Sequence, residues 1–260
     1  MNPLIKTFSE ISINYISLVG GKNASLGEMY NSLGSEGINV PDGFAVTTES
    51  YSLFLEKNNL HSRLKAILQE LDTKNFSNLA EIGKAARQSI MESEMPHELA
   101  AAIKNAHYRL CGEVDNISVA VRSSARAEDL PSASFAGQLE SFLNVRGEDA
   151  VVNAVHKCFT SLFTDRAIFY RHQNNFSNVY ISVSVGVQKM VRADLSCSGV
   201  AFTLDPDTGF DKVVVINSIY GLGENIVQGQ STPDEFIIFK PHIDTTYNPL
   251  ISKKIGKKEW

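Results

Sequence analysis

The spacing of apolar residues changes once along this chain of 260 residues. Up to about residue 177 the apolar side chains mostly recur every three or four residues, as in "EDAVVNAVHKCFTSLFTDRAIFYRHQN", which predicts a long amphipathic helix. From about residue 178 the segments "VYISVSVGVQKMV", "CSGVAFTLDP", "DKVVVINSIYG" and "DEFIIFKP" are separated by Gly, Asp and Pro, which predicts strands and turns. The pattern therefore predicts an α+β protein.

The same patterns divide the chain into three regions within two predicted lobes. Residues 1–112 form the N-terminal α/β part of the first lobe, and residues 113–177 form a hairpin followed by the long helix. Residues 178–260 form a sheet-rich second lobe. A chain of this length suits one large domain or two lobes, and the change in periodicity favours two.

Charge and cysteine content exclude several classes of function. The formal net charge of -5 argues against a surface that coats nucleic acid or an anionic membrane. Three widely spaced cysteines without a CxxC pair (Cys111, Cys158 and Cys197) predict free thiols in a reducing compartment. No signal peptide and no apolar run of roughly 20 residues is visible. We therefore expect a cytoplasmic protein with no nucleic-acid or membrane partner.

The segment "GGKNASLGE" has the composition of a phosphate-binding turn. Two glycines let the backbone approach a ligand, the free amides of the following helix favour an anion, and Lys22 adds a positive charge. It is not a Walker A loop, because Ile16 and Asn23 stand where that motif needs glycine and Ser or Thr. A glycine turn with a surface lysine explains the segment equally well.

A second candidate lies in "VRSSARAEDLPSASFAGQLESFLNV", where two predicted strands flank a run of small residues. Arg122 ends the first strand beside Ser123 and Ser124, so its guanidinium could grip a phosphate bidentately. The stretch "SASFAGQ" holds one bulky residue, Phe135, as expected of a flap whose amides close over phosphates. The alternative is a tight hairpin with a surface arginine.

Other catalytic motifs are weak or absent. "GLGENIVQG" lacks the GxGxxG spacing of a dinucleotide fold, and Glu224 within it is either a metal or ribose contact or part of a plain turn. The six histidines stand apart, and neither HExxH nor a Ser-His-Asp set can be assembled. His156 and His172, on the predicted long helix, therefore fit packing or surface roles.

Six segments in order resemble the N-terminal nucleotide-binding region of phosphoenolpyruvate synthases and pyruvate phosphate dikinases. They are "VGGKNASLGEM", "VPDGFAVT", "VAVRSSARAEDLPSASFAGQLESFLNV", "SLFTDRAIFYR", "GVQKMVRADLSCSGVAFTLDPDTGF" and "YGLGENIVQGQSTPDEF". The likeness is closer to the synthases, because the flap reads "LPSASFAGQ". It implies an ATP-grasp-type domain in which two lobes close on ATP, with the C-terminal part of the grasp truncated.

The resemblance also implies a role for individual residues. Lys22 and Arg122 would hold the phosphates of ATP and act in catalysis, and Gly137 and Ser141 would belong to the covering flap. Gln188 in "GVQKMV" would read adenine. Ser141 stands where the family more often has threonine, and it keeps the hydroxyl. ATP and Mg2+ are the implied cofactors.

In the family, ATP, pyruvate and water become AMP, phosphoenolpyruvate and phosphate through a phosphohistidine, a reaction of gluconeogenesis. Family members continue beyond the "IGKK" hairpin, so we expect the magnesium ligands, the swivelling histidine domain and the pyruvate-binding barrel beyond Trp260. The chain alone should then be inactive in the overall reaction, and the full-length enzyme could be a homodimer. The alternatives are the same module of another dikinase, such as a rifampicin phosphotransferase, and a stand-alone non-catalytic ATP-binding module.

Overall fold

The computed structural model describes residues 3–114, 116–125, 129–130, 133–134, 141–174 and 182–256. The chain divides into two compact units, Met1–Met190 and Val191–Trp260. Both contain antiparallel sheet, and the first adds most of the helices, which confirms the predicted α+β class.

The first unit is built on a five-stranded antiparallel sheet. Its strands are β1 (Ile5–Thr7), β2 (Gly43–Val46), β3 (Val119–Ala125), β6 (Ser141–Val145) and β7 (Val183–Lys189), in the order β1-β2-β7-β3-β6. Two short strands, β4 (Asp129–Leu130) and β5 (Ala133–Ser134), pair with each other. The helices are α1 (Ile16–Leu33), α2 (Thr48–Lys57), α3 (Leu60–Gln69), α4 (Leu79–Met91), α5 (His97–Cys111), α6 (Glu148–Thr160) and α7 (Asp165–Gln173).

The main apolar core lies on one face of this sheet. Aromatic rings of α2 and α6 meet there, with the Phe159 ring centroid 5.1 Å from that of Tyr51 and 5.3 Å from that of Phe54. The alternate valines of β3 and β7 belong to the same buried cluster, namely Val119, Val121, Val183, Val185 and Val187. Because side chains alternate along a strand, the intervening residues of β3 and β7 face the opposite side.

The long helix predicted over 148–174 is two helices in the structure. Helix α6 ends at Thr160, a turn of 3-10 helix covers Ser161–Phe163, and α7 follows. The Ser161 hydroxyl donates to the Cys158 carbonyl at 2.6 Å, and the Thr164 hydroxyl accepts from the Ala167 amide at 3.3 Å as the N-cap of α7. Ser and Thr side chains compete with helical backbone bonds in this way, which apolar periodicity does not reveal.

The second unit contains a four-stranded antiparallel sheet. Its strands are β8 (Cys197–Phe202), β9 (Val213–Tyr220), β10 (Asp234–Phe239) and β11 (Leu250–Lys254), in the order β11-β10-β9-β8. A short helix, α8 (Glu224–Val227), follows β9. The strand prediction for this part of the chain is thus correct in type.

The division between the units differs from the predicted boundary at residue 178. Strand β7 lies in the middle of the first sheet, where Val185 pairs with Val46 of β2 and with Ser123 of β3. Its hydrogen bonds tie it to the first unit, so the division falls after Met190. The change in periodicity marks where strands become frequent, whereas pairing partners decide which sheet a strand joins.

Two further observations concern partners and redox state. None of the helices in the described ranges is both long and apolar enough to cross a bilayer. Cys111, Cys158 and Cys197 are free thiols, as their spacing predicted.

The half-buried histidine of α6, His156, makes the stability of the first unit depend on pH. The His156 Nε2 donates to the Ile90 carbonyl at 2.9 Å, and its ring lies 5.2 Å from that of Phe54. Burial lowers the pKa of His156 below its ordinary value of 6.5, and the hydrogen bond to Ile90 opposes this shift. The folded state therefore binds a proton less readily than the unfolded state, so stability is complete above the unfolded pKa and falls as pH drops below it.

We expect the free energy of unfolding to decrease between about pH 7.5 and about pH 5.5, and the decrease to be smaller in His156→Gln, which keeps an N–H donor but cannot titrate. Urea unfolding at both pH values measures the difference. The exposed His61 of α3 supplies the control substitution, His61→Gln. An identical pH dependence in wild type and His156→Gln would contradict the assignment.

Candidate functional site

The face of the first sheet opposite the main core carries small and polar residues. We call it the polar face, and it comprises Ala120, Arg122 and Ser124 of β3 and Ser184, Gly186 and Gln188 of β7. Arg122 is exposed, while Ser124 and Ser184 are fully buried. A strand interior of this composition does not serve apolar packing, which indicates a different use for the surface.

Helix α1 lies against the polar face and is interrupted at the predicted glycine pair, after residues 16–19. Its backbone is non-helical at Gly20, with φ 73° and ψ 162°, so the regular helix starts at Gly21 and holds Lys22 in its first turn. Amides of a first turn lack helical partners and carry the positive end of the helix dipole. Helix α1 ends at Leu33 and is followed by Gly34.

Gly20 brings the two phosphate candidates of the sequence together. A Cβ atom at Gly20 would lie 2.5 Å from the Ser124 carbonyl oxygen and would also collide with the Ser124 hydroxyl. The start of α1 therefore touches β3 two residues from Arg122. The sequence predicted Lys22 and Arg122 separately, and the structure places their segments against each other.

A second contact, centred on Asn23, joins α1 to β7. Its amide donates to the Val19 carbonyl at 2.9 Å and to the Ser184 hydroxyl at 3.1 Å, and that hydroxyl donates to Val46 at 2.7 Å. The Asn23 carboxamide fills the space where Gly186 lacks a side chain. The sequence reading assigned no role to this buried residue, although a lone glycine within "VSVGVQ" signals a close approach of another group.

Arg122 has defined neighbours across the sheet. Its Cα partners are Ser141 of β6 on one side and Gly186 of β7 on the other. Directly opposed residues of antiparallel strands lie about 5 Å apart, so the exposed Ser141 hydroxyl is within reach of whatever Arg122 binds.

Gln188 lies diagonally across the strand pair from Arg122, two residues beyond Gly186. Such diagonal neighbours are separated by about 7 to 8 Å. The half-buried Gln188 amide nitrogen donates to the Pro41 carbonyl at 3.0 Å. Its carbonyl oxygen has no hydrogen-bond partner among the residues described, so it remains available as an acceptor. Gln188 also lies two residues before Met190, where the first unit ends.

The electrostatics of the polar face favour an anion. Lys22, Arg122 and the first turn of α1 all contribute positive potential. The buried Ser124 hydroxyl beside Gly20 has no hydrogen-bond partner within the described part of the chain. Leaving a buried hydroxyl unpaired costs about 1 to 3 kcal/mol of stability.

The remaining sequence candidates are not part of this arrangement. Gly137, together with most of the predicted flap, lies outside the described residues. Glu224 belongs to α8 of the second unit, where its carboxylate accepts from the Gln228 amide at 2.9 Å. His172 packs with Phe76, their ring centroids 5.2 Å apart. Within the described ranges, no three His, Cys, Asp or Glu side chains cluster as metal ligands would.

The positive potential of the polar face suits an anionic ligand, and comparison with known families identifies the class of domain as nucleotide-binding. Residues 16–260 match the family described as "Pyruvate phosphate dikinase, AMP/ATP-binding domain". The chain belongs to this family, as the six motifs predicted.

Among characterised proteins, the chain is similar to phosphoenolpyruvate synthases. It is 47% identical to that of Synechocystis sp. over 98% of this chain and 32% of the relative. The Aquifex aeolicus protein is 48% identical over 98% of this chain and 30% of its own length. The Escherichia coli protein is 44% identical over 99% and 33%, respectively. The chain thus spans about a third of the length of the curated relatives it matches.

The contact between Gly20 and Ser124 predicts unequal effects of two matched substitutions. Gly20 and Gly37 both have positive φ, 73° and 77°, but no atom lies within 4 Å of a Cβ added at Gly37. We expect Gly37→Ala to cost about 1 kcal/mol of backbone strain and Gly20→Ala at least about 2 kcal/mol more, because strain and collision add. Urea unfolding measures both, and equal losses would show that the two segments do not touch.

Proposed function

We propose that this chain is the ATP-binding portion of a phosphoenolpyruvate synthase, which converts ATP, pyruvate and water into AMP, phosphoenolpyruvate and phosphate. The observation that carries the proposal is the meeting of the Lys22 turn with the Arg122 strand on the polar face, around the unpartnered Ser124 hydroxyl. The family match supports adenine nucleotide as the ligand, and the names of the relatives support the reaction.

The proposed reaction assigns this chain the task of holding the triphosphate. In the first step a histidine elsewhere in the enzyme attacks the β-phosphorus, the bond from that phosphorus to the oxygen of the α-phosphate breaks, and AMP leaves. Water then releases the terminal phosphate, and the remaining phosphoryl group passes to pyruvate. Negative charge shifts to the leaving AMP in the first step, and Lys22 and Arg122 stabilise it as preorganised donors.

Two predicted flap residues complete the phosphate site in this proposal. Ser141 lies opposite Arg122, and this pairing supports its assignment to the cover of the phosphates. Gly137 is proposed to supply backbone amides in the same flap, because glycine lets the main chain approach an anion closely.

Gln188 is proposed to read adenine through its free carbonyl oxygen. The Pro41 carbonyl fixes the orientation of the amide by accepting from its nitrogen. The oxygen then meets the exocyclic amino group of adenine, which donates, whereas guanine presents a carbonyl oxygen at that position. Two opposed acceptors repel, so this arrangement discriminates between the bases.

The proposal extends to the full-length protein, as a magnesium-dependent enzyme with an ATP-grasp-type domain. It would act in gluconeogenesis in the cytoplasm and would form a homodimer. Two lobes would close on ATP, and Mg2+ would enter with the triphosphate. Its protein ligands, the acceptor histidine and the pyruvate site are proposed to lie in the two thirds of such enzymes that this chain does not span. Net negative charge and free thiols support the cytoplasmic assignment without a nucleic-acid partner.

A domain replacement tests the reaction. With this chain in place of the matching region of the Synechocystis relative, we expect pyruvate-dependent formation of AMP from ATP. Arg122→Ala in the chimera should lower that rate by about 10²- to 10³-fold, because one preorganised donor to developing charge is lost.

Arg63→Ala is the control for this experiment, because Arg63 is exposed on α3 and its ion pair with Glu92 spans 3.5 Å at the surface. It should keep the rate, since exposed pairs contribute little. Repeated turnover of ATP to AMP without pyruvate, beyond the one equivalent that the first step releases, would refute the synthase assignment. If Arg122→Ala kept the full rate, only the role proposed for Arg122 would be refuted.

The base preference is tested separately by calorimetric titration of the chain with MgATP and MgGTP. We expect Gln188→Ala to weaken ATP binding by about five- to tenfold and to reduce the preference for ATP over GTP, because one hydrogen bond is lost. Gln69→Ala, at the end of α3, is the matched control. An unchanged ratio of the two affinities in Gln188→Ala would place base recognition elsewhere.

A further inference from the structure

A cleft of about 450 Å³ lies at the β1 edge of the first sheet, apart from the polar face. Helix α1 contributes Tyr30 to its wall, helix α5 contributes Asn105 and Arg109, and β1 runs between them. The volume is within the range of small-molecule sites in proteins. None of the residues assigned to ATP above lines it.

The floor of the cleft is apolar. It is formed by Leu4, Ile5, Phe44, Ala102, Ala106 and Leu110. Phe44 and Leu110 are buried, so this surface is continuous with the core. Ala102 and Ala106 lie one turn apart on α5, and their short side chains leave room that larger residues would fill.

The carboxylates of the wall are already engaged with the backbone. Glu10 accepts from the Thr7 amide and hydroxyl, both at 2.8 Å, and these bonds hold the pKa of Glu10 below its ordinary value. Asp42 accepts from the Gly43 amide at 2.7 Å. Both carboxylates therefore serve local turns of this chain.

Three hydrogen-bond donors of the cleft wall have no partner within the described residues. The Arg109 guanidinium, the Asn105 amide and the Tyr30 hydroxyl have no hydrogen-bond or ion-pair partner among the residues that the structure describes. Arg109 alone offers five N–H donors in a planar fork that matches a carboxylate. Arg109, Asn105 and Tyr30 thus present hydrogen-bond donors above an apolar floor.

We propose that this cleft binds a small organic carboxylate with a short branched apolar body. The carboxylate pairs with the Arg109 fork in a charge-assisted, bidentate contact, and the apolar body packs on the floor between β1 and α5. This is a second ligand site of the first unit, separate from the nucleotide site.

Three probes of related shape test the chemistry by calorimetric titration of the chain. Isovalerate carries the carboxylate and the branched body, isoamylamine replaces the anion by a cation, and inorganic phosphate lacks the body. We expect binding of isovalerate and at least about tenfold weaker binding of the other two. Preference for the amine, equal binding of all three, or no binding of isovalerate overturns the proposal.

Substitutions in the cleft test whether isovalerate binds there. Arg109→Gln should weaken the binding of isovalerate by at least about tenfold, because the charged guanidinium is lost. Ala106→Leu should block it by filling the floor, and this second variant tests the site independently of charge. Arg166→Gln, a matched change of an exposed arginine on α7, should leave the affinity unchanged. Wild-type affinity in both cleft variants, with unchanged thermal unfolding, overturns the assignment.

Discussion

The approach of the first turn of α1 to strands β3 and β7 is the constraint on which the candidate site depends. At Gly20 the backbone of the helix start lies against Ser124, and at Gly186 the backbone of β7 lies against Asn23. Each contact needs a glycine, because a Cβ atom would occupy space that the neighbouring chain already fills. Hydrogen bonds from Asn23 through Ser184 to Val46 then hold the helix to two strands at once.

Because of this constraint, the two faces of the first sheet have different roles. Alternate valines of β3 and β7 bury one face under α2 and α6, where aromatic rings of the two helices contact each other. The other face keeps Arg122 exposed and leaves the Ser124 hydroxyl buried without a partner in the described part of the chain. Leaving that hydroxyl unpaired costs the fold some stability.

Sequence reasoning proposed Lys22 and Arg122 as phosphate ligands because their neighbours are small, polar or glycine, a composition that suits a phosphate but also suits a tight turn. It could not find Asn23 or Ser124, because their importance comes from contacts between segments far apart in the chain. Gln188 came from the family resemblance, since a strand glutamine carries no signal of its own. The break between α6 and α7 was missed because Ser161 and Thr164 act through local hydrogen bonds rather than through apolar spacing.

The amino-acid sequence by itself determined the α+β class, the helix start at the glycine pair and the free thiols, because these follow from spacing and composition within a few residues. Its six ordered motifs also determined the family. Only the tertiary structure decided that β7 belongs between β2 and β3, that Gly20 touches Ser124, and that a cleft opens beside β1. Strand pairing uses backbone groups that every residue but proline possesses, so the choice of partner depends on packing of the whole unit.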